Sequence, residues 1–127
     1  MSIDQPIVLM PVRSDGAPIL SLCLADHGDI KVITVGGELD LDTAHLLTEL
    51  VDRVADQRPA RVVIDMADVT LLCAAGLSAL LRARETIAAV GGRLVLLAPS
   101  APTQKTLAIT NTERLFEYDT AMATICI

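Results

Sequence analysis

The run Arg61-Val-Val-Ile-Asp-Met66, together with the thirty residues after it, narrows the fold more than any other stretch of this chain. Val62, Val63 and Ile64 are consecutive and apolar, so a strand here has no polar side to give to water. Strands of that kind sit in the middle of a largely parallel sheet covered on both faces. After a short connection, Leu77, Leu80, Leu81, Ile87 and Ala88 recur at helical spacing, while Ser78, Arg82, Glu85 and Ala89 fall on the other side. That pattern predicts a helix over 74–90, stopped by the left-handed turn that Gly91-Gly92 permits. Residues 93–98, Arg93-Leu-Val-Leu-Leu-Ala98, repeat the buried-strand pattern. Strand, helix, strand in this order implies two parallel neighbours joined by a crossover.

The flanking segments extend the same sheet. Residues 19–24 and 30–35 read as strands, with Asp26-His27-Gly28-Asp29 as the turn of an antiparallel hairpin. Asp42 or Thr43 is placed to cap a helix in which Leu46, Leu47, Leu50, Val51 and Val54 face inward. His45, Glu49, Asp52, Arg53 and Asp56 lie outside, and Arg58-Pro59 ends the helix. Beyond the last central strand, Pro99-Ser-Ala-Pro102 is a break, 103–110 a short helix, 116–118 a short strand and 121–127 a terminal helix. The opening 18 residues carry Pro6, Pro11 and Pro18 and are expected to be a flexible arm with an edge strand at 7–10. The expected fold is therefore α/β: a four- to five-stranded mixed sheet with helices packed against it and an N-terminal antiparallel hairpin. It forms a single domain over 19–127, in keeping with a chain of 127 residues.

Several function classes are disfavoured by what the chain lacks. The formal charge is −6 and the ten basic residues are scattered, which argues against nucleic acid as a partner. With one Phe, one Tyr and no Trp there is no stacking platform for bases. The apolar run from Val69 to Leu81 is too short for a membrane span and contains Gly76 and Ser78. No charged segment leading into an apolar core opens the chain, so no secretory signal is expected and the expected location is cytoplasmic. Cys23, Cys73 and Cys126 with His27 and His45 show no zinc-ligand spacing, and neither a metal nor a cofactor is expected. Gly36-Gly37 and Gly91-Gly92 match neither a dinucleotide fingerprint nor a phosphate loop. Glu38, Asp40 and Asp42 are best explained by capping and solvation, and Cys73 is either a small packing residue or a reactive thiol at a helix start. The residues alone point to no enzyme.

Two blocks in order resemble the STAS domain of bacterial anti-sigma factor antagonists. The first is Val35-Gly-Gly-Glu-Leu-Asp-Leu-Asp-Thr-Ala44, similar to that family's Gly-Glu-Leu-Asp stretch before its first helix. The second is Val62-Val-Ile-Asp-Met-Ala-Asp-Val-Thr-Leu-Leu-Cys-Ala-Ala-Gly-Leu77, similar to its central strand and its Asp-Ser-Ser/Thr-Gly-Leu helix start. Gly92-Arg-Leu-Val-Leu96 matches the next strand, and the resemblance runs over about 19–124. It implies a module that docks an anti-sigma factor which is also a serine kinase, and that is switched off when this kinase phosphorylates the motif's serine. By that resemblance the contact residues are Glu38, Asp40, Cys73, Ala74, Ala75, Gly76, Leu77 and Ser78. Gly76 and Leu77 are kept, but Cys73 stands where the motif has Asp, Ala74 where it has the phosphorylated serine, and Ala75 where it has the second hydroxyl. A methyl group accepts no phosphoryl group, so the implied module is constitutively competent or regulated elsewhere, with Thr70 and Ser78 as other hydroxyls. Two alternatives stay open: a scaffold or sensory subunit, for which a homodimer is one arrangement, and a small-ligand or redox sensor using Cys73.

Overall fold

The computed structural model describes residues 3–7 and 19–119. Six strands form one mixed sheet in sequence order: β1 (Ile3–Ile7), β2 (Leu20–His27), β3 (Ile30–Leu39), β4 (Arg61–Leu72), β5 (Arg93–Leu97) and β6 (Glu117–Tyr118). The first three pair antiparallel; β3, β4, β5 and β6 run parallel. Three helices, α1 (Ala44–Ala55), α2 (Ala74–Ala89) and α3 (Ala101–Ile109), fill the crossovers, with a short 3-10 turn at Glu113–Leu115.

The α/β class and the hairpin are as the sequence implies, and the hairpin turns on Gly28 at a φ of +75°, its N–H held by Asp26. The proline-rich opening segment supplies a strand at Ile3–Ile7 against β2; the rest of the edge strand expected at 7–10, the remainder of the arm and the terminal helix at 121–127 lie outside the described residues. Val62, Val63 and Ile64 of β4 are fully buried, as a strand covered on both faces requires. One face carries the main core, in which Leu22, Ile33, Val35, Ile64, Met66 and Leu96 meet Leu47, Leu80, Ile87 and Leu107 of the helices. Val63, Val95 and Leu97 form a smaller cluster on the opposite face.

Three boundaries differ from expectation, each for a local reason. β3 and β4 continue past Val35 and Met66, because bulges between Thr34 and Gly36 and between Gly37 and Glu38 let them stay paired as far as Leu39 and Leu72. α3 starts two residues early: Ser100 accepts from the Thr103 N–H, and Pro102 sits in the first turn, where no N–H is needed. Ala88, expected inside α2, is exposed, and Ala83 takes the buried position.

Candidate docking site

The site lies where the bulged end of β3, the end of β4 and the start of α2 converge. Gly37 has a φ of +92°, and a Cβ there would lie 2.2 Å from the Ile19 carbonyl oxygen; only glycine lets β3 turn here while the Glu38 N–H reaches that same carbonyl at 2.9 Å. From this point the chain is wound into a tight loop. Asp40 Oδ1 accepts the N–H groups of Asp42 at 2.9 Å and Thr43 at 3.1 Å. Thr43 Oγ1 accepts the Asp40 N–H at 2.9 Å and donates to the Glu38 carbonyl at 2.8 Å. Of the two expected caps, Thr43 holds the N-cap position of α1 but makes no side-chain cap bond; fully buried, it locks the loop that Asp40 winds. Leu41, at the crest, is left 82% exposed. Polar groups hold an apolar side chain out into solvent.

The loop is tied directly to α2. Cys73 N–H donates to the Leu39 carbonyl at 3.1 Å, and Cys73 O then accepts the Leu77 N–H to open the helix. Gly76 makes this approach feasible, because a Cβ there would stand 2.6 Å from the Leu39 carbonyl oxygen and 2.8 Å from Leu72 Cδ1. Cys73 has extended backbone and its side chain caps nothing, and the first turn of α2 holds no acidic residue.

Ala74 and Ser78, one helical turn apart, are exposed, while Cys73 and Ala75 are half-buried. Gly76 and Leu77 lie beneath that surface and position it. Glu38 and Asp40 are half-buried in the neighbouring loop. All eight sequence-derived residues therefore gather at one end of the sheet. Sequence reasoning passed over Leu41, Leu71 (43% exposed) and Ile109 (73% exposed), three large apolar side chains around the same end. The flanking Asp40 and Asp42 were the available signal for Leu41, since a leucine between two turn-forming aspartates has no core face to join.

A family model described as the STAS domain matches residues 23–125. The anti-sigma-F factor antagonist RsfB of Mycobacterium tuberculosis is 37% identical over 68 residues, 54% of this chain and 56% of RsfB; the chain spans about half the length of this curated relative. A crystal structure of an anti-sigma factor antagonist from Mycobacterium paratuberculosis superposes with a TM-score of 0.73 at 24% identity, covering 92% of this chain and 98% of the other. The Bacillus cell fate determinant SpoIIAA in its phosphorylated form superposes with a TM-score of 0.63 at 20% identity, covering 82% and 96%. At these identities the solved structures share the fold. The family match spans most of the residues from β2 onward, and on that ground the chain belongs to the STAS domain family.

Proposed function

We propose that this chain is a binding module of the anti-sigma factor antagonist type, acting in the cytoplasm, that docks an anti-sigma factor through the β3–α1 loop and the start of α2. Docking in this reading is not controlled by phosphoryl transfer at the helix mouth. The observation that carries it is the exposed methyl group of Ala74, held beside the Asp40 loop by the bond between the Cys73 N–H and the Leu39 carbonyl. A phosphate here would add up to two negative charges beside Asp40 and Asp42, enough to oppose an interface by repulsion and desolvation. Ala74 offers no oxygen to carry one. The mouth provides a rigid loop, a crest leucine and a methyl-lined helix end, which suit recognition rather than bond-making. The name of RsfB supports the class of partner. SpoIIAA, a protein of the same fold, has a phosphorylated form; the absence of a hydroxyl at Ala74 favours a module that does without that modification at the helix mouth.

The test uses purified anti-sigma factors from the source genome, each mixed with this chain with and without MgATP. A complex that persists in MgATP, with no mass gain on this chain, is expected. The double variant Cys73→Asp, Ala74→Ser is expected to gain one phosphate and release a partner that has kinase activity. Phosphate found on Thr70 or Ser78 of the parent, or release of the parent by MgATP, overturns the reading.

A further inference from the structure

Beside the helix mouth, a groove of about 510 Å³ runs between the end of β4 and α3. Leu71 and Leu72 form one wall, Pro102, Thr106 and Ile109 the other, and Lys105 is the only charged side chain lining it among the described residues. Thr106 Oγ1 donates to the Leu72 carbonyl at 2.7 Å and pins α3 in place, so the groove is built into the fold. Exposed Leu71 lies three residues before exposed Ala74, so one wall of the groove runs along the chain into the proposed docking site. Two of the large exposed apolar side chains, Leu71 and Ile109, line it. Lys105 is exposed and makes no ion pair among the described residues, in a chain whose net charge is −6.

The groove is therefore apolar at Leu71 and Ile109 and basic at Lys105. We infer that the groove is a second contact for the anti-sigma partner proposed above, an inference that rests on that docking reading. It receives an apolar side chain from a partner segment that also carries a carboxylate for Lys105. The apolar anchor supplies affinity as desolvated hot spots do, and the pairing with Lys105 selects an acidic segment over a basic one.

The probe is the anti-sigma factor that binds the parent chain in the MgATP test, and calorimetry reads its Kd. Ile109 and Lys105 are exposed, so Ile109→Ser and Lys105→Glu leave the fold intact, checked by circular dichroism. Each is expected to weaken binding at least tenfold, whereas Glu49→Lys on the outer side of α1 leaves it within twofold. Lys105→Glu is also expected to be partly rescued by a carboxylate-to-lysine change on the partner segment. Two groove variants that bind as tightly as the parent overturn the groove assignment and leave the docking reading standing. A parent that binds no anti-sigma factor overturns both. If the parent is dimeric and Ile109→Ser monomeric, the groove seats a second copy and the inference fails.

Discussion

Cys73 occupies the N-cap position of α2 with extended backbone but gives the helix no side-chain oxygen. Asp at an N-cap accepts a free helix N–H and favours the positive end of the helix dipole. Cys73→Asp should therefore stabilise the protein by roughly 1 kcal/mol, read from the urea midpoint; an unchanged or lower midpoint would count against this cap geometry. Gly76 carries the opposite lesson. Its Cα faces the Leu39 carbonyl and the Leu72 side chain at distances no Cβ tolerates. Gly76→Ala must push α2 off the sheet and should cost roughly 1–3 kcal/mol, with the resonances of Leu39 and Cys73 shifting most in an amide spectrum. The glycine of the motif was legible in the sequence, but its reason was not, since the clash is with a residue 37 positions earlier in the chain.

At the scale of elements, the β2–β3 hairpin holds a buried lysine. Lys31, only 5% exposed, shares a face with Ile33 and Val35, and its Nζ reaches Asp26 Oδ1 at 2.6 Å. The Lys31 ammonium first, and the Gly28 N–H second, hold the Asp26 carboxyl below its ordinary value near 3.8. A depressed carboxylate contributes stability that is whole above the unfolded value and is lost as the pH falls through the folded one. Urea midpoints of the parent and Asp26→Asn should accordingly differ at neutral pH and converge as the pH drops below about 3.8; a gap independent of pH would refute the pair. The same scale shows where periodicity stopped short. The pattern of β4 as a strand ends at Met66, yet the strand runs on to Leu72 because bulged β3 offers it a partner. No local propensity announces a neighbour.

For the whole molecule, the helices and one face of the sheet share a single core from Leu20 on β2 to Phe116 beside β6. The two-residue β6 is tied in by its ladder to β5, by Tyr118 Oη donating to the Glu113 carbonyl at 2.8 Å, and by an exposed ion pair between Arg93 and Glu117. Exposed pairs of that kind add little, so β6 depends on the core for its order. Unfolding by urea should then be one transition, with fluorescence of the only tyrosine, Tyr118, coinciding with far-ultraviolet dichroism. An earlier tyrosine transition would show β6 to be a separate unit. The order of elements, the central strands, the inward face of α1 and the buried Leu77, Leu80 and Ile87 of α2 followed from the sequence by itself, because burial writes a period of two or 3.6 into the side chains. The two blocks at the proposed docking end were legible through their resemblance to the STAS domain pattern. Tertiary structure alone decided that Asp40 winds the loop before α1, that Leu41, Leu71 and Ile109 emerge exposed, and that Lys105 lines the groove beside Leu71 and Ile109 with no ion pair among the described residues. Those outcomes depend on which residues distant in sequence meet at the end of the sheet, and no local periodicity records such meetings.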